Sequence, residues 1–294
     1  MYVLELAGQG DDELARYEAS SACSGVKRLA PGLATADALT DRVEHLGFTQ
    51  TVSTLVGCCD ATVADAVAML ETAPDSTRTG TIRVRARDVQ GLTGISSRTA
   101  ERALGGVLSD RGYAVDLDNP DHELRALFSE GTCALGWLAY RSIRDFTERK
   151  PTDRPFFQPG SMDPMLARAL VNIAGARAGA QIVDPMCGTG GLLLEAGLVG
   201  ADVIGVDAQW KMVRGARENL AAYLDGEEAG CYSTLRGDAT CLPVRDRAAD
   251  GVVFDAPYGR QSKIVGELAP LVGGALAAAR RIAPRAVVVA DRSW

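Results

Sequence analysis

The sequence predicts an α/β protein in two parts, an α+β half over residues 1–142 and then a mostly parallel sheet flanked by helices. Three observations predict it. Residues 81–87 (Thr-Ile-Arg-Val-Arg-Ala-Arg) alternate with a period of two, the pattern of a half-buried strand. Further on, short strand-like runs at 181–184, 202–207, 234–238 and 251–255 each end in an acid: Asp184, Asp207, Asp238 and Asp255. Finally, a glycine loop, Cys187-Gly-Thr-Gly-Gly191, sits between the first of these runs and an apolar helix.

A chain of 294 residues is long enough for two or three cores. No apolar run is long enough for a bilayer and no signal peptide opens the chain, so a cytoplasmic protein with no membrane partner is expected. The seven cysteines form no Cys-x-x-Cys, and His45 and His122 are isolated. Neither a metal site nor a disulfide framework is therefore expected. Cys187 reads as a small packing residue, with no histidine near it in sequence. The net charge of −7 argues at first against a nucleic-acid partner. Residues 1–80, however, carry 5 Lys/Arg against 12 Asp/Glu. The acidic excess lies there, and the remainder is near neutral with local basic strips.

In order along the chain, residues 1–6 form a first strand and residues 11–17 a helix opened by acids at its positive end. A strand-like region covers 29–33, a β-branched strand 48–56 and a helix 60–70. The strip at 81–87 buries Ile82, Val84 and Ala86 and leaves Arg83, Arg85 and Arg87 on its other face. That face suits phosphates, and a solvated strand face explains it equally well. A helix at 97–109, a strand running into the turn Asn119-Pro-Asp121, and strands at 123–128 and 132–139 follow. This order of elements, with Val115-Asp-Leu-Asp-Asn-Pro-Asp121, resembles the THUMP domain, an RNA-binding module of tRNA-modifying enzymes. The resemblance covers roughly residues 50–142 and implies a ferredoxin-like piece before it. The expected divisions are a ferredoxin-like module at 1–48, THUMP at 49–142, a linker at 143–165 and a catalytic domain at 166–294.

The stretch Arg149-Lys-Pro-Thr-Asp-Arg-Pro-Phe-Phe-Gln-Pro-Gly-Ser161 is basic and Pro-rich, a semi-rigid connector. Its Arg154-Pro-Phe-Phe-x-Pro-x-Ser161 resembles the linker of archaeal tRNA guanine-10 N2-methyltransferases. That resemblance implies Phe157 and Pro159 as walls of the cofactor cleft; ordinary linker packing is the alternative. With the linker come Arg141, Arg144 and Arg149, which join Arg83, Arg85 and Arg87 as candidate phosphate contacts.

The glycine loop lacks the Lys-Ser/Thr of a P-loop, and Leu193 stands where a dinucleotide fingerprint starting at Gly188 needs glycine. Asp184-x-x-x-Gly188-x-Gly190-Gly191 resembles motif I of class I S-adenosylmethionine-dependent methyltransferases. The resemblance implies S-adenosylmethionine as cofactor, bound by Asp184, Met186, Gly188 and Gly190, with Asp207 on the ribose and Asp238 on the adenine amine. NAD enzymes also place an acid where Asp207 stands, so that residue alone does not choose the cofactor.

Asp255-Ala-Pro-Tyr258 resembles the Asp/Asn-Pro-Pro-Tyr motif of enzymes that methylate exocyclic base amines. The chemistry explains these residue types. An exocyclic amine is a poor nucleophile because its lone pair is delocalised into the ring. A carboxylate (Asp255) and a carbonyl (Ala256) that accept its N–H bonds localise the pair, and Tyr258 offers a stacking face; the resemblance places Pro257 in the same catalytic motif. Ala256 departs from the usual proline and is expected to leave the loop less stiff.

The resemblances together imply a Rossmann-like sheet in strand order 3-2-1-4-5, with a fifth strand at 285–291. The helix and antiparallel hairpin that normally follow are not seen before Trp294. They imply methylation of guanine N2 at tRNA position 10, mono- and dimethylation, by a monomeric enzyme. Open alternatives are methylation of an adenine or cytosine amine in rRNA or DNA, and a non-catalytic tRNA-binding protein.

Overall fold

A computed structural model describes residues 1–7, 12–74, 78–257 and 268–290. The chain divides into two compact units, Met1–Ile143 and Arg144–Trp294.

The first unit is built on one eight-stranded mixed sheet. Its elements run β1 (Tyr2–Leu6), α1 (Asp12–Ala19), β2 (Cys23–Ser24), β3 (Lys27–Ala30), β4 (Leu33–Ala36), β5 (Ala38–Leu39), β6 (Thr49–Cys59) and α2 (Val63–Thr72). They continue with β7 (Thr81–Asp88), α3 (Ser97–Asp110), β8 (Ala114–Val115), β9 (His122–Ser129) and β10 (Thr132–Arg141). The large sheet has the order β3-β4-β1-β6-β10-β9-β7-β8, and β2 pairs with β5 separately. The sheet runs across residue 48 without a break, since β6 lies between β1 and β10. The ferredoxin-like and THUMP parts are thus proposed as modules within one compact unit.

Local chemistry sets the turns. The region at 29–33 is a hairpin rather than one strand, because Pro31 and Gly32 (φ 71°) supply the two central residues of a tight turn. Asp121 accepts the backbone N–H of Thr81 at 2.7 Å and its hydroxyl at 2.9 Å, so the Asn119-Pro-Asp121 turn ties β7 to the start of β9. Thr62 and Ser96 cap α2 and α3. One face of the sheet packs Ile82, Val84, Leu124 and Phe128 against Ala66, Leu70 and Leu104 of these helices. Alternation then sends Arg83, Arg85, Arg87, Glu123 and Arg125 to the opposite face.

The second unit contains α4 (Pro164–Ala174), β11 (Gln181–Asp184), α5 (Gly191–Leu198), β12 (Asp202–Asp207), α6 (Trp210–Tyr223), β13 (Tyr232–Arg236), β14 (Gly251–Asp255), α7 (Leu268–Ile282) and β15 (Ala286–Val289). Its five strands are all parallel, in the order β13-β12-β11-β14-β15. Helices α4, α5 and α6 cover one face over Ile182, Val203 and Val253, and α7 covers the other over Val183, Val206, Val252 and Phe254. Burial on both faces is why the central strands β11 and β14 read as apolar runs rather than alternating ones. Asp163 caps α4 by accepting the N–H groups of Met165 and Leu166, Pro164 opens it, and Gly175 (φ 101°) ends it.

The segment expected to be a connector belongs to this unit. Phe146, Arg149 and Arg154 are buried in it. Arg149 and Arg168 share Glu195, at 2.6 and 2.9 Å, and all three side chains are at most 3% exposed. No described helix is long and apolar enough to cross a membrane.

Candidate active site

In a parallel sheet the strand order opens a crevice at the carboxyl ends where connections leave in opposite directions, here beside β11 and β14. Asp184, at the tip of β11, is buried and accepts the Met186 N–H at 2.9 Å. Burial raises its pKa well above the ordinary carboxylate range, and the charges of Asp207 and Asp255 push the same way. Asp207 and Asp255 thus both act on Asp184 as like charges.

The glycine loop is held from both ends. Cys187 N–H bonds the Val206 carbonyl at 2.9 Å, and Gly188 N–H donates to Asp207 Oδ2 at 3.1 Å. Gly188 (φ 52°) and Gly190 (φ 80°) adopt left-handed backbone. A Cβ built on Gly188 would meet no atom within 4 Å, so the loop leaves an open cradle there. Asp207 also accepts the Gln209 N–H at 2.8 Å, and burial raises its pKa. Asp238, just past β13, accepts both the N–H and the hydroxyl of Thr240 at 2.8 Å; these bonds lower its pKa and keep it ionised. Cys187 is buried, which pushes its thiol well up and suits a packing role.

Asp255 ends β14, and Ala256 behind it is buried. Ala256 N–H donates to the Val289 carbonyl at 2.9 Å, extending the β14–β15 pairing by one bond. That bond ties the Ala256 N–H to the ladder, a tie that a proline at this position could not make. Ala256→Pro is expected to remove that bond and cost about 1–3 kcal/mol. Thermal melting of the variant checks this, and no gain in turnover is expected. Tyr258 lies outside the described residues.

Two residues the sequence reading missed hold the linker against this site. Asn219 of α6, fully buried, accepts Phe156 N–H at 2.8 Å and donates to the Phe156 carbonyl at 2.8 Å and the Thr189 carbonyl at 2.9 Å. Gly215 gives the Phe156 ring its seat: an added Cβ would lie 2.0 Å from it. Ser161 also meets the Thr189 hydroxyl at 3.1 Å. Phe156 is thus the anchored aromatic, while Phe157 is 41% exposed beside it. Met186 is partly buried and packs on the α7 side of the sheet. Asn219→Ala is expected to cost about 2–4 kcal/mol by stranding buried backbone groups, and to weaken cofactor affinity. Calorimetric melting and titration check the two effects.

Of the candidate phosphate contacts, Arg149 is corrected. It is 3% exposed and bound to Glu195 and Asp145, so it cannot face a phosphate. Exposed Arg144 lies over the Phe146 ring at 5.5 Å and donates to Met165 Sδ. Arg83 and Arg141 pair with Glu123, and Arg87 with Glu5. Among the described residues no group of three or more His, Cys, Asp or Glu side chains is arranged to hold a metal.

A parallel sheet in this order, with a glycine loop after its first strand and acids at the ends of β11, β12 and β14, defines a Rossmann-like α/β domain with a nucleotide-type crevice. Residues 151–292 match the family model UPF0020, RMKL-like, methyltransferase domain. The chain is 43% identical over 175 residues, 59% of its length and 51% of the other's, to the tRNA (guanine(10)-N2)-dimethyltransferase of Methanothermobacter thermautotrophicus. It is 29% identical over 176 residues, 58% of its length and 31% of the other's, to the mouse U6 snRNA (guanine-N(2))-methyltransferase THUMPD2. The chain spans about half the length of the archaeal relatives it matches. TrmN from Thermus thermophilus shares the fold, with a TM-score of 0.50 over 96% of this chain and 86% of that one at 24% identity.

Proposed function

We propose that this chain methylates the N2 amine of a guanine in tRNA, at position 10, using S-adenosylmethionine, and that it transfers one methyl group and then a second. The observation that carries the reading is the placement of Asp255-Ala256-Pro257 at the carboxyl end of a central strand, next to the strand that leads into the open glycine loop. The curated relatives named for guanine-N2 methylation of tRNA and of U6 snRNA support the choice of amine and of RNA. A cytoplasmic monomer belongs to the same proposal.

The residues present fit the cofactor. Gly188 leaves the cradle open, Asp207 retains lone pairs for ribose hydroxyls, and ionised Asp238 has Oδ2 without a protein donor among the described residues. When bound, S-adenosylmethionine supplies an electrophilic methyl group on a sulfonium. The chain's own residues do the rest. Asp255 accepts one N–H of the guanine amine and the Ala256 carbonyl the other, so the nitrogen lone pair is drawn out of the ring and aimed. As nitrogen becomes positive on methylation, Asp255 takes the released proton. Tyr258 is proposed to stack on the extruded base.

The basic face of the first unit, with Arg83, Arg85, Arg87 and Arg141, is proposed to bind tRNA phosphates, and exposed Arg144 of the second unit is proposed as a further contact. Incubation of the chain with labelled S-adenosylmethionine and an unmodified tRNA transcript, followed by nucleoside analysis, tests the reading. N2-methylguanosine and its dimethylated form at position 10 are the expected products. Label entering only adenine or cytosine, or cofactor binding without turnover, would sink it.

A further inference from the structure

The face of the eight-stranded sheet opposite α2 and α3 carries an ion network assembled from four strands. Glu5 on β1 is 1% exposed and accepts the Thr51 hydroxyl at 2.7 Å and Arg125 Nη2 at 2.8 Å, while Arg87 Nη1 meets its other oxygen at 2.7 Å. Glu123 on β9 is 5% exposed and takes Arg141 Nη2 at 2.6 Å, Arg125 Nη1 at 3.2 Å and Arg83 Nε at 2.7 Å. Burial would raise the Glu123 carboxyl, but the bond from Arg83 and the charges of Arg141 and Arg125 hold it below the usual range. Arg125, 8% exposed, bridges the two acids and has no partner for its Nε among the described residues.

The balance of charge is uneven. Arg83, Arg85, Arg87, Arg125 and Arg141 face Glu5 and Glu123. Arg85 stands opposite Arg125 in the β7–β9 register and has no carboxylate partner among the described residues. Glu5 and Glu123 already compensate Arg125, so the charge left over on this face is that of Arg85. Meanwhile Arg87 and Arg141 have side chains 48% exposed although their carboxylate partners are buried. They are held by one side of the guanidinium and present the other to solvent.

We propose that Glu5 and Glu123 are positioning residues of an RNA-binding face, holding Arg83, Arg87 and Arg141 around a phosphate seat at Arg85. The proposal rests on the tRNA reading above. A long side chain that is already fixed loses less rotamer freedom on binding, so each phosphate contact gains affinity from preorganisation as well as charge. The occupant is a phosphodiester backbone: the excess charge is positive, and a guanidinium fork matches phosphate oxygens in pairs.

The test is anisotropy binding of the full chain to an unmodified tRNA transcript over a range of salt. Arg85→Gln is expected to weaken binding and reduce the salt slope by about one. Glu123→Gln is expected to weaken binding about threefold to tenfold, although it removes a negative charge from a basic face. On charge alone it would tighten binding, so unchanged or tighter binding overturns the positioning role. Arg141→Lys keeps the charge and the fold but loses the fixed fork; it should bind more weakly with an unchanged slope. If Glu123→Gln does not fold, Arg141→Lys decides, and wild-type affinity there overturns the proposal. If neither Arg85→Gln nor Arg87→Gln changes affinity or slope, the tRNA-binding reading of this face fails instead.

Discussion

Replacing Asp255 by alanine is expected to lower methyl transfer to tRNA by about a hundredfold to ten-thousandfold. Cofactor affinity should change little. The split follows from where the residue sits. Asp255 ends β14, whereas the groups proposed to hold the cofactor come from β11, β12 and the turn after β13. Removing its carboxylate takes away the acceptor that orients the amine and receives its proton, and leaves the glycine loop untouched. Asp255→Asn is the sharper companion. Its amide oxygen can still accept one N–H but is a much weaker base, so partial activity would assign orientation and near-complete loss would assign proton removal. Single-turnover methylation by both variants, alongside cofactor titration, separates these outcomes. Wild-type turnover in Asp255→Ala would place the chemistry elsewhere.

The three central strands of the second unit, β11, β12 and β14, were legible because each is a short apolar run stopped by an acid. Asp184, Asp207 and Asp255 could be placed at one edge from that pattern alone. The alternation at 81–87 was equally readable, and Ile82 and Val84 do enter the core. What the pattern could not show was the partner of each arginine. Glu5 lies 120 residues from Arg125 in the chain, and no local rule links them. Arg149 was read as an RNA contact because its neighbours are basic and proline-rich. The signal against that was Glu195, one acid in the otherwise apolar helix α5, which had to find a cation. Asn219 was hidden for the opposite reason: among the polar residues of α6 it looks like solvent-facing surface, yet it is fully buried. The hairpin at Pro31–Gly32 was passed over although the dipeptide is itself a turn signal.

The Asp184 carboxyl sets the second large expectation, a cofactor-free protein that loses stability as pH rises. Its folded-state pKa is raised, first by burial and then by Asp207 and Asp255. The folded chain therefore binds this proton more tightly than the unfolded chain. The resulting stabilisation is fully present below the ordinary aspartate pKa and is lost as pH climbs through the raised value. Asp207, also raised by burial, adds a slope of the same sign. Asp238, lowered by its bonds to Thr240, acts in the opposite direction, and its contribution fades only as pH falls through its depressed pKa. Asp184→Asn keeps an oxygen for the Met186 N–H but cannot ionise. It should flatten the high-pH decline and raise the melting temperature of the cofactor-free protein at neutral pH by a few degrees. The same change should weaken cofactor binding about tenfold, because a cationic sulfonium gains from an acidic crevice that the empty protein finds costly. Melting curves in a pH series, with and without cofactor, test both halves. Identical slopes in wild type and Asp184→Asn would show that this acid stores no such strain. A stabilised variant that binds less cofactor would show that the energy kept in the crevice is spent on the ligand.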